Sequence, residues 1–177
     1  MNIATTGARP MPALLAAAHP AAIVLAGVLA GAVLGTWLSE ASLGSSTELW
    51  IAYHQAITTS YTGALPPVGG LGLIAALAAL TVSWRIPRER RLILTAVACL
   101  IVGLIVTVIV HFPINAEIAT WQPAAPPADW QQLRSRWLTA HAVRTALAVA
   151  GFTLLVIAGP RRGRTAASGG RAGIARA

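Results

Sequence analysis

Trp130, Arg134, Trp137, His141 and Arg144 recur at offsets of 0, 4, 7, 11 and 14 residues. On a helix that spacing sets all five on one face, toward a single partner. An imidazole can take or give a proton near neutral pH, and a guanidinium can hold developing negative charge. Indole rings can wall a flat apolar ligand. Upstream, His111 and Asn115 stand one helical turn apart, with Pro113 between them. A short connection would make the two segments antiparallel neighbours, so that His111, Asn115, His141 and Arg144 converge at one depth.

Three readings of these residues are open. In the first, Arg144 snorkels to the headgroups and the tryptophans and histidines form an interfacial belt. In the second, His54, His111 and His141, with Glu117 as a further candidate, meet to hold a transition metal such as Zn, Cu or Fe. None of the three has the i, i+4 histidine partner that makes a local motif. The third is a metal-free pocket with a histidine base, an arginine for negative charge, and aromatic walls. The cofactor expectation is therefore either none or a transition metal.

The elements that must position these residues follow from composition. Of 177 residues 56% are hydrophobic and only 10% charged, whereas soluble domains carry about 25% charged residues. The net charge is +8, but five arginines lie beyond Pro160 and four more between Arg85 and Arg91. Both clusters border apolar runs, which marks cytoplasmic flanks rather than a nucleic-acid surface. Spans are expected at about 20–39, 65–84, 92–112 and 138–159, each near the ~20 residues a bilayer requires. Ala21–Leu38 exceeds the about 7–15 apolar residues of a signal sequence, so a retained helix is expected. Cys99, inside an apolar run and without a partner, reads as a small hydrophobe.

The expected fold is all-α: one four-helix transmembrane bundle over residues 18–160, with a flexible N-terminus (1–17) and a disordered basic tail (161–177). Between the first two spans, Ser45 and Glu48 match a capping box, and Trp50, His54, Ile57 and Tyr61 share one helical face. That segment reads as an amphipathic helix on the extracytoplasmic surface, with Glu40 and Glu48 as outer-loop charges. Asp129 and Gln132 resemble a second cap, opening a long helix from Trp130 to Gly159. If the last span ends at Gly159, Arg144 lies ~22 Å up the helix axis, within the outer leaflet of a ~30 Å core. No charged residue is expected at the centre of a span, which argues against a pump or channel. Gly27, Gly31 and Gly35 form a small-residue ridge for close helix packing, or for a homodimer. Nine arginines flank the inner ends and three the outer, which sets both termini in the cytoplasm of a multi-pass cell-membrane protein.

The residues Pro113, Asn115, Trp121, Trp130, Arg134, Arg136, Trp137, His141 and Arg144, in the pattern P-x-N…W…W-x-x-x-R-x-R-W-x-x-x-H-x-x-R, resemble the anthrone oxygenase-like family of small four-helix membrane proteins (DUF1772). His54-Gln55 matches a further family position. The resemblance covers roughly residues 20–160 and is clearest in the last third. It implies an oxidoreductase, a monooxygenase of the bacterial inner membrane, turning aromatic polyketide anthrones into anthraquinones with dioxygen. On that reading His141 or His111 removes the benzylic proton while Arg144 and Asn115 stabilise the enolate. Trp137, Trp130, Arg134, His54 and Gln55 would bind the apolar aromatic substrate. The competing expectation is a non-catalytic bundle that binds a lipid or quinone, or an accessory subunit.

Overall fold

The computed structural model describes residues 13–43 and 46–159. The expected basic tail, the first twelve residues and the capping residue Ser45 lie outside them. The chain forms the all-α, four-helix bundle that its apolar runs demand. Helix α1 spans Ala13–Ser42 and α2 spans Thr47–Val82. Helix α3 (Pro87–Val106) continues through a π turn, Thr107–His111, into the short α4 (Phe112–Ile118). Helix α5 covers Trp130–Ala158. Among the described residues four helical segments are long and apolar enough to cross a membrane: Leu15–Ser42, Thr47–Val82, Pro87–Ile118 and Trp130–Ala158. Their large apolar side chains face outward, with Val24, Ile74 and Ile109 each more than 60% exposed. A bilayer inverts the soluble pattern in this way, because lipid is as good a solvent as the core for an apolar side chain.

Inside, the helices meet through small residues. Ala22, Ala26, Ala76, Ala79, Ala96 and Ala158 are buried with Ile93 and Leu155 between them. Alanines let backbones approach closely, so dispersion contacts are gained where no hydrophobic force acts between helices. Of the expected glycine ridge only Gly27 packs inward: a Cβ there would stand 3.0 Å from the Phe152 ring of α5. Gly31 and Gly35 face out, with nothing within 4 Å.

Two expectations are corrected here. The segment after the first span is not a separate surface helix but the first part of α2, which runs unbroken for 36 residues. At 1.5 Å per residue that is ~54 Å, longer than a ~30 Å hydrocarbon core. The face carrying Trp50, His54, Ile57 and Tyr61 is real, yet its partner is protein. Trp50 and Ile51 pack with Ile114, Ile118, Leu133 and Trp137 in a second core above the first. Pro66 and Pro67 lie within this helix, and their missing N–H groups leave the carbonyls of Thr62 and Gly63 without helical donors. Glu40, expected in a loop, belongs to α1 and is fully buried.

The starts of the helices are plainer than the sequence suggested. Ser46 and Asp129 occupy the N-cap positions of α2 and α5, but neither side chain makes a capping hydrogen bond. Pro113 is carried within the helical third span, at the start of α4. Its ring would crowd the carbonyl one turn earlier, and the wider π turn stands immediately before it, where that crowding is relieved.

Candidate functional site

The π turn and the middle of α5 pack side by side along a cavity of about 380 Å³. Its floor and polar end are formed by Thr107, His111, Asn115, Trp137, His141 and Arg144; mostly apolar side chains of α1, α2 and α3, with Thr36, Thr58, Tyr61 and Thr62 among them, make the rest. All four residues expected to act on substrate, His111, Asn115, His141 and Arg144, line this one space, as does Trp137. The volume lies in the range of about 300–1,000 Å³ typical of small-molecule sites.

Hydrogen bonds fix the protonation pattern of the two cavity histidines. His141 Nε2 is 2.8 Å from the Val33 carbonyl of α1. A carbonyl only accepts, so Nε2 carries the proton and Nδ1 presents a lone pair. Arg144 Nη2 donates to that Nδ1 at 2.9 Å, and Nη1 donates to Thr107 Oγ1 at 3.3 Å. Thr107 in turn donates to the Gly103 carbonyl at 2.9 Å, which leaves its oxygen free to accept. Both nitrogens of His141 are thus engaged. His111 differs: Nδ1 donates to the Val106 carbonyl at 3.3 Å, and Nε2 is buried with no partner.

Arg144 sits fourteen residues from each end of α5, so a charge stands at the middle of this helix. Its neighbours His141 and Thr107 are neutral acceptors, and the single ion pair among the described residues lies elsewhere. A part-buried guanidinium with no counter-ion among the described residues, lining a largely apolar cavity, is costly and is the feature that calls for a ligand.

Trp137 is the wall that joins this cavity to what lies behind it. Its ring packs on His141 with centroids 4.4 Å apart, and the edges of His111 and His54 meet it at 5.4 and 4.9 Å. The indole N–H donates to Asn115 Oδ1 at 2.8 Å, which locks the ring across the two helices. Behind Trp137, His54 Nδ1 donates to Glu40 Oε1 at 2.9 Å, with both side chains fully buried. Arg134 Nη2 donates to the Glu40 carbonyl at 3.0 Å, and its guanidinium lies 5.5 Å from the Trp50 ring centre.

The expected substrate-binding residues therefore divide. Trp137 lines the cavity; Trp130, Arg134, His54 and Gln55 do not. Trp130 stacks near Trp50 at 6.0 Å. Gln55 donates to the carbonyls of Ile118 and Trp121 at 2.8 and 2.9 Å, tying the end of α4 to α2. The metal candidates do not assemble: among the described residues no group of three or more His, Cys, Asp or Glu is placed to hold an ion. His111 and His141 are near neighbours, with ring centroids 5.4 Å apart, but the free lone pair of His141 is taken by Arg144. Glu117 is exposed.

From the sequence Thr107 is not singled out, and Glu40 reads only as an outer-loop charge. The signal for Glu40 was available, since a carboxylate ending an apolar run needs a partner and His54 is close behind it. Removing one member of a buried pair leaves the other uncompensated. We expect Glu40→Ala to lower unfolding stability by about 3–5 kcal/mol, read as a fall in the detergent-solubilised melting temperature. An unchanged melting point would show that the pair carries no net structural load.

Comparison with known proteins adds one finding. No curated protein and no solved structure matches the chain. Residues 58–154, more than half of it, match the family model described as Anthrone oxygenase, a stretch that holds Thr107, His111, Asn115, Trp137, His141 and Arg144. The chain belongs to the anthrone oxygenase family.

Proposed function

We propose that the protein is a membrane oxygenase that converts a flat, apolar, C–H-acidic aromatic substrate of the anthrone type into a quinone, using dioxygen, in the cavity beside Trp137. The observation that carries the reading is Arg144: a part-buried guanidinium without a counter-ion, one neighbour away from an unpartnered imidazole nitrogen. Both termini lie on the cytoplasmic side of the bacterial inner membrane, in keeping with the arginine-rich turn and tail.

The residues divide the work. His111 Nε2 takes one proton from the methylene between the rings, and the C–H electron pair moves into the ring system as an enolate. Arg144 holds the enolate oxygen; the NH₂ of Asn115, whose oxygen is committed to Trp137, donates to it as well. The carbanionic carbon passes an electron to dioxygen and recombines with it, forming a C–O bond and a hydroperoxide anion. Protonated His111 returns its proton to the terminal oxygen. His111 then removes the second methylene proton as the O–O bond breaks, giving the carbonyl and hydroxide, which leaves as water. One dioxygen is consumed, with one oxygen atom in the quinone and one in water. Trp137 packs on the ring faces and keeps water out. No step passes through a metal, because the histidines do not form a ligand set.

Detergent-purified protein with emodin anthrone and dissolved oxygen is expected to form quinone absorbance faster than the spontaneous reaction, at one dioxygen per quinone. A rate equal to the spontaneous one, together with retained binding of the anthrone, would replace this reading with a non-catalytic lipid- or quinone-binding bundle.

A further inference from the structure

The cavity is open on one side, and that side is in the membrane. Of its lining residues only Thr62, Pro66, Gly70, Leu104 and Phe112 are exposed. The first three lie on α2 and the other two on α3 and at the start of α4, so the opening is a slot between these two helices. Leu104 and Phe112 are each 52% exposed. Counted at 1.5 Å per residue from Val82, Gly70 lies ~18 Å and Thr62 ~30 Å along α2. From Arg91, the last charge of α3, Leu104 lies ~20 Å and Phe112 ~32 Å. At Gly70 and Leu104 the slot therefore opens in the half of a ~30 Å hydrocarbon layer remote from the arginine turn, and at Thr62 and Phe112 it reaches that layer's edge. Exposed backbone and side chains at that depth touch acyl chains rather than water.

The sequence of α2 keeps the slot clear. Gly70 lines the cavity, and a Cβ there would meet nothing within 4 Å, so the space beside it is unfilled. Pro66 and Pro67 remove two backbone donors from the same stretch and soften the helix there.

We infer that the cavity is loaded sideways from the bilayer, through the slot between α2 and α3–α4, and that its ligand is an uncharged, membrane-dissolved aromatic molecule. This rests on the cavity being the substrate site, and it narrows the substrate class. A free anthrone dissolved in lipid can pass; a glycoside or a carrier-bound thioester, whose polar part would have to cross acyl chains, cannot.

The test needs no turnover. In lipid nanodiscs, an apolar aryl diazirine is photolysed and labelled peptides are mapped by mass spectrometry. The expected result is carbene insertion at the cavity-facing positions Cys99, Leu100 and Gly103 as well as at lipid-facing residues such as Leu94. Gly70→Trp should cut the cavity labelling about tenfold, equivalent to ~1.4 kcal/mol on the access barrier, and leave Leu94 unchanged. Gly31→Trp, at an equally open glycine that does not line the cavity, should label like wild type, and Leu104→Ala should label more. Equal cavity labelling in wild type and Gly70→Trp would overturn the inference, as would equal labelling by a charged, water-confined diazirine. If the labelling pattern holds but emodin anthrone is not oxidised, the slot stands and the substrate reading falls.

Discussion

Arg144→Leu is expected to lower quinone formation by about 10²–10³-fold, the usual cost of removing a preorganised donor from a developing oxyanion. Its fork is already aimed: one Nη donates to His141 Nδ1 and the other to Thr107 Oγ1. Neither partner is charged, so neither neutralises the guanidinium in the resting protein. Substrate, while still a neutral ketone, gains little from it. The enolate gains a full charge interaction in a low-dielectric space, and an interaction stronger in the transition state than in the ground state lowers the barrier. Stability should move differently. Leucine removes a part-buried, uncompensated charge, which favours folding, and leaves His141 Nδ1 without a donor, which costs about 1–3 kcal/mol. The melting temperature is therefore expected to stay near wild type while kcat/KM collapses. Arg144→Lys keeps the charge but not the planar fork, and should recover only part of the rate. A leucine variant within about threefold of wild type, ~0.7 kcal/mol, would remove the guanidinium from the chemistry.

The polar end of this cavity was readable from the sequence because it is a matter of periodicity. Trp137, His141 and Arg144 share a helical face by spacing alone, and a short Pro-rich reversal had to bring His111 and Asn115 alongside them. The same arithmetic set Trp50, His54, Ile57 and Tyr61 on one face of α2. Periodicity identifies an apolar face without saying what covers it, so a helix packed on protein read as one lying on lipid. Trp130 and Arg134 fall on the stripe as well, but two turns of helix carry them beyond the cavity to Trp50 and Glu40. The apolar walls from α2 were not legible. They depend on where two long helices diverge, and Gly69, Gly70 and Leu73 carry no mark of it. Nor could spacing distinguish the two histidines. That distinction rests on two backbone carbonyls, Val33 and Val106, one of them offered by a helix that is distant in sequence.

That distinction leads to the second large effect. His111→Gln is expected to cost about 10²–10⁴ in kcat, the range for loss of a positioned general base, with KM little changed because the amide fills similar space. His111 is the histidine with a lone pair to spare: its Nδ1–H is spent on Val106, and Nε2 is buried without a partner. His141 can accept a proton only after Arg144 lets go of Nδ1, which would release the group that must hold the enolate. His141→Gln should therefore act through Arg144, raising KM and lowering kcat together, and its rate should not respond to added base. His111→Ala leaves a gap the size of an imidazole beside the cavity. Added imidazole should restore part of its rate, and the methylene-deuterated substrate should show a larger isotope effect in that variant than in wild type, as C–H cleavage becomes limiting. A purely structural role for His111 would yield neither response. The reverse pattern, with rescue at His141→Ala and none at His111→Ala, would move the base to His141 and require the Arg144 contact to break on substrate binding.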